Sequence, residues 1–116
     1  MRVLVCGGRD YKDLDAVYGA LDEIAQDAFP ELINIVNGGA TGADTLAAEW
    51  AHVRQLTYIT VPAPWRTYGK RAGMVRNEEM LAEWRPDLVV AFPGGRGTEN
   101  MIDLAERAGV EVRRVA

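Results

Sequence analysis

The sequence has 116 residues, of which 48% are hydrophobic and 26% are charged. This length fits one domain with its own core, and the composition excludes a disordered chain. Thirteen basic residues, eleven of them arginine, stand against 17 acidic ones, and the net charge of −4 argues against nonspecific binding of duplex nucleic acid. Cys6 is the one cysteine and His52 the one histidine, which excludes an internal disulfide and a Cys/His zinc site.

The sequence lacks the features of a membrane or secreted protein. No apolar run approaches the ~18–20 residues of a membrane-spanning helix, and Met1 and Arg2 lead directly into a short apolar run without a signal peptide. We therefore expect a single domain over residues 1–116 that is cytoplasmic, with no membrane partner, no cofactor and no metal.

Short apolar runs alternate along the chain with longer segments of helical period. Thr41 and Asp44 have the spacing of a capping box at the start of the second helix, and Pro86 and Gly109 end the third and fourth. In chain order, the pattern predicts a strand at 2–6, a helix at 12–28, a strand at 32–36, a helix at 41–54, a strand at 57–61, a helix at 70–83, a strand at 88–92, a helix at 98–108 and a strand at 110–115.

This alternation predicts the fold class. Strands that alternate with helices are parallel, because parallel neighbours need a right-handed crossover between them. We therefore predict an α/β fold: a single small Rossmann-like doubly wound parallel sheet, β-α-β-α-β-α-β-α-β, with strand order 3-2-1-4-5.

Three glycine-rich turns each follow a strand and precede a helix, at the sheet edge where open parallel sheets bind ligands. Glycine lets backbone N–H groups approach a phosphate, and arginine adds guanidinium donors. Close packing of strand against helix is the alternative reason for the same glycines. No Walker lysine and no G-x-G-x-x-G spacing is present, so neither ATP hydrolysis nor NAD-linked hydride transfer is expected. The predicted phosphate-binding residues of these turns are Gly7, Gly8, Arg9, Gly38, Gly39, Gly42, Pro93, Gly94, Gly95, Arg96, Gly97 and Thr98.

The turns belong to a series of five motifs that spans nearly the whole chain. The other parts of the series are Asp10 after the first turn, Ala43 and Asp44 after the second, Trp65 with Tyr68, Gly69 and Lys70, and the pair Arg76 and Asn77. In this order the motifs resemble the small YspA (YpsA-related) SLOG family and, more distantly, the LOG-type nucleotide phosphoribohydrolases and DprA. The resemblance implies a Rossmann-like domain that binds a nucleotide or a nucleotide-derived small molecule, with Arg76 and Asn77 at the site.

The resemblance also bears on catalysis. LOG-type enzymes carry a catalytic glutamate after the Pro-Gly-Gly loop, beside an arginine from the preceding helix. Arg76 matches that arginine, but Met101 occupies the position of the glutamate, and Glu99 lies about 200° around the helix from it. The catalytic residues are therefore unknown, with Arg76 as the one match, and LOG-type hydrolysis is not expected.

Several further side chains are candidates for base or ribose contacts. Trp65 and Tyr68 stack on a base or else cover the edge of the sheet, with Lys70 close to both. Asp10 and Asp44 accept a ribose hydroxyl or else cap the helices that follow them.

Three functions remain open from the sequence. The leading hypothesis is a module that binds a nucleotide or a nucleotide-derived small molecule. The alternatives are a hydrolase of a nucleotide N-glycosidic bond and a single-stranded nucleic-acid binder, which the net charge disfavours. A homo-oligomer is a further hypothesis, with the helix faces of Trp50 and Trp84 as candidate surfaces.

Overall fold

Five parallel strands form the centre of the molecule in a computed structural model that describes residues 1–116. They are β1 (Arg2–Cys6), β2 (Asn34–Asn37), β3 (Tyr58–Thr60), β4 (Leu88–Ala91) and β5 (Glu111–Arg114). Their order in the sheet is β3-β2-β1-β4-β5, and β1 pairs in parallel with both β2 and β4. The predicted fold class and strand order are confirmed, and the order reverses between β1 and β4.

Five helices and one 3₁₀ turn connect the strands. They are α1 (Leu14–Ala28), α2 (Ala43–Val53), α3 (Trp65–Tyr68), the 3₁₀ turn (Gly69–Arg71), α4 (Ala72–Trp84) and α5 (Arg96–Arg107). The prediction missed α3, because a helix of one turn is too short to show a hydrophobic period. It also began the second strand two residues early, at Leu32, which is 65% exposed and lies outside the sheet.

The side chains of β1 alternate between two cores, one on each face of the sheet. Val3 and Val5 pack beneath α1 and α2, where Trp50 is fully buried. Leu4 and Cys6 pack beneath α4 and α5. Helices thus cover both faces, as expected for a doubly wound sheet. No helix is long and apolar enough to cross a membrane.

The buried position of Trp50 corrects the hypothesis about a dimer surface. Its ring has no exposed area, and its indole Nε1 donates a hydrogen bond of 2.9 Å to Asp22 Oδ1. Trp84 is half-buried against the second core, with the guanidinium of Arg2 at 6.0 Å from its ring. Trp50 therefore cannot contribute to an interface between copies of the chain.

The helix starts differ from the predicted caps. Asp13 caps α1, since its Oδ1 accepts a hydrogen bond from the Ala16 N–H, whereas Asp10 is exposed and caps nothing. The predicted capping box of Thr41 and Asp44 is wrong, because α2 begins at Ala43 and the residue before it is Gly42. α5 begins at Arg96, two residues earlier than predicted, which places Thr98 inside its first turn.

Candidate functional site

A cleft of about 620 Å³ opens at the carboxyl ends of β1 and β4, where the strand order reverses. Its walls come from the end of β1 and the turn after it, one face of α4, and the first turn of α5. This is the position at which open α/β sheets bind ligands, and the volume falls within the ~300–1,000 Å³ of small-molecule sites.

The structure brings most of the predicted site residues together in this cleft. Gly38 and Gly39 instead line an adjoining groove of about 460 Å³, which shares Arg9 and Arg76 with the cleft. Pro93 and Gly94 line a separate pocket, and Asp10, Gly42 and Tyr68 line neither the cleft nor the groove. The predicted residues that line the cleft are Gly7, Gly8, Arg9, Asp44, Trp65, Lys70, Arg76, Asn77, Gly95, Arg96, Gly97 and Thr98.

The glycines of the first and third turns, together with Gly42 of the second, divide into two groups. A Cβ at Gly42 would overlap the carbonyl oxygens of Gly8 and Arg9, and a Cβ at Gly7 would lie 2.6 Å from that of Ala43. These glycines, together with Gly8 and Gly94, let the turns pack against one another, which is the alternative that the sequence left open. A Cβ at Gly95 or Gly97 would instead meet no atom within 4 Å. Only this second pair leaves free space for a ligand.

The first turn of α5 presents backbone donors without partners. Gly95 occupies the N-cap position and makes no side-chain cap. The N–H groups of Arg96, Gly97 and Thr98 donate no hydrogen bond within the protein. Because the partial positive charge of a helix N-terminus adds to such donors, this turn is suited to an anion.

The cleft is positively charged although the whole chain has a net charge of −4. Arg9, Lys70, Arg76 and Arg96 line it, and none of the four forms a salt bridge. Of the 17 acidic residues, Asp44 alone lines the cleft. The four cations are therefore available to a ligand that carries negative charge.

Arg76 projects from α4 onto the second glycine turn. Its Nη1 donates a hydrogen bond of 3.0 Å to the Gly38 carbonyl, and its Nε is buried without a partner. A Cβ at Gly38 would lie 2.7 Å from the guanidinium carbon, so the group packs flat against that glycine. Burial lowers the pKa of Arg76, and nearby Asp44 opposes that shift.

Asp44 holds the other side of the same turn. It is 5% exposed, and its Oδ2 accepts hydrogen bonds from the N–H groups of Gly38 (2.9 Å) and Ala40 (3.3 Å). Burial raises the pKa of Asp44 from 3.8 to about 6, against the effect of these hydrogen bonds and of Arg76. The side chain therefore shapes the second turn instead of capping α2.

The raised pKa of Asp44 predicts a pH-dependent stability. Between about pH 4 and pH 6, folded Asp44 binds its proton more tightly than unfolded Asp44, so the free energy of unfolding decreases as the pH rises through this window. Asn in its place cannot ionise, but its amide oxygen can accept the same two N–H bonds. The stability of Asp44→Asn relative to the wild type should increase from pH 4 to pH 6 and level off above pH 7. Urea unfolding of both proteins across this range measures the difference, and a difference that does not change with pH would contradict the raised pKa.

One face of α4 lines the cleft at helical spacing. Gly73, Arg76, Asn77 and Met80 lie at positions i, i+3, i+4 and i+7 of this face. The buried Asn77 donates through Nδ2 to the Gly97 carbonyl (3.2 Å) and to Asn100 Oδ1 (2.9 Å). It thereby fixes α4 against the first turn of α5.

Some cleft residues were not predicted as site residues. Val5, Cys6, Ala40, Gly73, Met74, Met80 and Asn100 also line the cleft. The helical spacing from Arg76 indicates Gly73 and Met80, so this part could have been found from the sequence. Asn100 could not, because its contact with Asn77 depends on how two helices pack.

Two positions on α5 that the sequence considered for a catalytic acid, Met101 and Glu99, lie outside the cleft. Met101 is fully buried in the core beneath α4 and α5. The exposed Glu99 accepts a hydrogen bond of 3.2 Å from Arg114, and neither Glu99 nor Asp10 lines the cleft. Of Asp10, Asp44 and Glu99, Asp44 alone lines the cleft.

The cleft has an apolar edge at its mouth. Trp65 and Met74 are 52% and 53% exposed, and both line the cleft. Tyr68, on the same short helix as Trp65, is 48% exposed and points to neither the cleft nor the groove. Of the two predicted stacking residues, Trp65 alone is in place to contact a ligand in the cleft.

The fold and this cleft define a doubly wound α/β domain with a cationic cleft at the point where the strand order reverses. Residues 1–68 match the model of the YspA, cpYpsA-related SLOG family. The chain belongs to this family, as the order of the five motifs predicted.

Two similar proteins extend this comparison. The Gene 61 protein of Mycobacterium phage D29 is 40% identical over 119 residues, which cover 96% of this chain and 93% of that protein. The X-ray structure of DNA processing protein A (DprA) from Streptococcus pneumoniae matches 97% of this chain with a TM-score of 0.78 and 18% sequence identity. The match covers 49% of the DprA chain, so this chain spans about half of DprA and shares its fold.

Proposed function

We propose that the protein binds a phosphorylated nucleoside, or a small molecule derived from one, in the cleft. The observation that carries this proposal is the convergence of four cations that form no salt bridge and of the free N-terminus of α5 in a chain of net charge −4. Membership in a SLOG family and the shared fold of DprA are consistent with a role related to nucleotides or nucleic acids.

Each part of the cleft has a role in this proposal. A phosphate accepts hydrogen bonds from the N–H groups of Arg96, Gly97 and Thr98, over the open space at Gly95. Arg96 and Arg9 add charge-assisted hydrogen bonds from their guanidinium groups. The sugar and base then extend along α4 toward Trp65.

The distribution of charge favours a small ligand over single-stranded nucleic acid. A polynucleotide needs a cationic track with stacking side chains along several nucleotides. Here Arg9, Arg76 and Arg96 surround one cleft, and the remainder of the chain is acidic. Binding of an oligonucleotide with a steep dependence on salt, without binding of mononucleotides, would favour the nucleic-acid alternative.

One observation favours hydrolysis of an N-glycosidic bond as a second candidate. Such chemistry uses a carboxylate, and Asp44 supplies one in the cleft with a pKa of about 6, which suits proton transfer near neutral pH. Met101 lacks the acid of the LOG-type enzymes, so we propose binding without turnover. Chromatography of a nucleotide after incubation with the protein distinguishes hydrolysis from binding without turnover, because only hydrolysis releases the free base.

We expect nucleotides to stabilise the folded protein. A ligand at ~100 times its dissociation constant adds about 2.7 kcal/mol to the free energy of unfolding, which raises the melting temperature by several degrees in a domain of this size. A panel of nucleoside mono- and diphosphates, cyclic nucleotides and NAD derivatives, tested by thermal melting and calorimetry, measures this. If no compound shifts the melting temperature or releases heat, the proposed function is wrong.

A matched pair of variants locates the binding in the cleft. Arg96→Ala should weaken binding of the stabilising nucleotide by roughly 10–150-fold, the loss of one charge-assisted hydrogen bond of ~1.5–3 kcal/mol. Arg107→Ala removes the same charge from the other end of α5, where Arg107 pairs only with Asp103, and should leave the affinity unchanged. Equal affinity of the two variants would place the phosphate elsewhere.

A further inference from the structure

Gly73 lines the cleft with backbone atoms alone, since glycine has no side chain. It lies in α4, where glycine is less favourable than alanine by up to about 1 kcal/mol. A Cβ at Gly73 would meet no atom within 4 Å, and its backbone is not in the left-handed region. Neither packing nor backbone conformation therefore requires glycine here, and the missing side chain leaves room in the cleft.

Two exposed apolar side chains line the cleft together with Gly73. They are Trp65 and Met74, and each exposes about half of its surface, 52% and 53%. Because both side chains line the cleft, a flat apolar group of a bound ligand can pack against them. Trp65 presents an aromatic face, while Gly73 presents flat helix backbone.

The apolar side chains at the cleft belong to different elements from the anion-binding turn of α5. The free N–H groups and Arg96 belong to the first turn of α5, whereas Gly73 and Met74 belong to the first turn of α4. Asn77, one turn after Gly73, donates to the Gly97 carbonyl and sets the two helix ends against each other. A molecule that spans the cleft therefore meets the free N–H groups of α5 on one side. On the other side it meets the backbone at Gly73, with Trp65 and Met74 and the cation Lys70 lining the same cleft.

We propose that Gly73, Trp65 and Met74 form a slot for the planar base of the ligand, with the base lying over the bare backbone of α4 at Gly73. This proposal rests on the proposed function, because it assigns the base of the nucleotide whose phosphate lies at α5. Trp65 contributes stacking, and any side chain at position 73 would occupy the space of the base.

The test fills the slot and compares ligands with and without a base. AMP, GMP, CMP and UMP carry a base, and ribose 5-phosphate is the probe without one. Gly73→Leu should weaken binding of the monophosphates by roughly 5–150-fold, the factor that corresponds to one base-stacking contact of ~1–3 kcal/mol. It should change the affinity for ribose 5-phosphate by less than about twofold. Calorimetry of the full chain measures both.

Gly19→Leu is the matched control. Gly19 is a helical glycine of α1 with no atom within 4 Å of its Cβ position, and it does not line the cleft. Both leucine variants should melt at or above the temperature of the wild type, and Gly19→Leu should bind like the wild type. If Gly73→Leu does not fold, Gly73→Ala tests the same slot with a smaller side chain and a smaller expected loss.

The possible outcomes distinguish a failure of the slot proposal from a failure of the proposed function. If the wild type binds no nucleotide of the panel and no ribose 5-phosphate, both the function and the slot are wrong. If it binds only panel members other than the four monophosphates, the same comparison is made with the nucleotide that binds. If the wild type binds a monophosphate and Gly73→Leu binds it equally well, the function stands and the slot is wrong. The slot is also wrong if Gly73→Leu weakens ribose 5-phosphate as much as the monophosphates.

Discussion

Replacing Gly95 with Asp should abolish binding of phosphorylated ligands while the protein remains folded. Gly95 lies at the N-cap of α5 with φ −103° and ψ −142°, and a Cβ there meets no atom within 4 Å. Asp is a favoured N-cap residue, so α5 should gain a few tenths of a kcal/mol. Its carboxylate, however, stands where the phosphate accepts hydrogen bonds, and opposing like charges cost several kcal/mol. We expect at least about a 100-fold loss of affinity.

Gly95→Asn is the control that isolates charge from size. Asn has nearly the same shape as Asp and also caps helices well, but it carries no charge. It should lose less affinity than Gly95→Asp, because its amide oxygen competes for the N–H groups of α5 but adds no negative charge. Both variants should melt at or above the temperature of the wild type. For the wild type and the two variants, calorimetry measures the affinity and circular dichroism measures the melting temperature. Equal binding by Gly95→Asp and the wild type would show that the phosphate does not lie at α5.

Gly42→Ala should cause the largest loss of stability among the glycine variants. Gly42 has φ +82° and ψ −126°, which is strained for any residue with a Cβ, at about 1–3 kcal/mol. A Cβ would also overlap the carbonyl oxygens of Gly8 and Arg9, which belong to the first glycine turn. Because backbone atoms cannot move aside cheaply, the free energy of unfolding should fall by about 3 kcal/mol or more, with a drop in melting temperature of roughly 10 °C or more.

The control for Gly42→Ala is Gly19→Ala. Alanine at position 19 replaces a helical glycine in open space, so it should stabilise the protein by up to about 1 kcal/mol. Thermal melting and urea unfolding of the two variants compare a glycine required by packing with one that is not. A small effect of Gly42→Ala would mean that the first two glycine turns do not pack as closely as the structure shows.

The sequence alone was sufficient for the architecture. Strand and helix differ in the period of their apolar residues, and this local property identified every strand and each of the longer helices. The chirality of crossovers then limited the topology, and the predicted order, with β1 between β2 and β4, is the one observed. The one-turn helix at Trp65 was missed because a period cannot be read over four residues.

The sequence also predicted the glycine turns at one edge of the sheet, because the carboxyl ends of parallel strands share that edge. The family resemblance added Arg76 and Asn77 to them. The sequence could not predict which hydrogen bonds each of these side chains makes. Asp44 has the spacing of a capping residue, yet its carboxylate turns back to the N–H groups of Gly38 and Ala40. Two local arrangements compete for the same side chain, and the packing of the turn selects one.

What the sequence by itself determined is therefore the order of strands and helices along the chain and the edge of the sheet that carries the glycine turns. Both follow from local period and chain connectivity. Only the tertiary structure decided which glycines pack and which leave space, since Gly42 meets Gly8 and Gly38 meets Arg76 across long separations in the chain. It likewise placed Met101 in the core and Asn100 at the cleft. These outcomes depend on distances between residues far apart in sequence, and no local pattern encodes such distances.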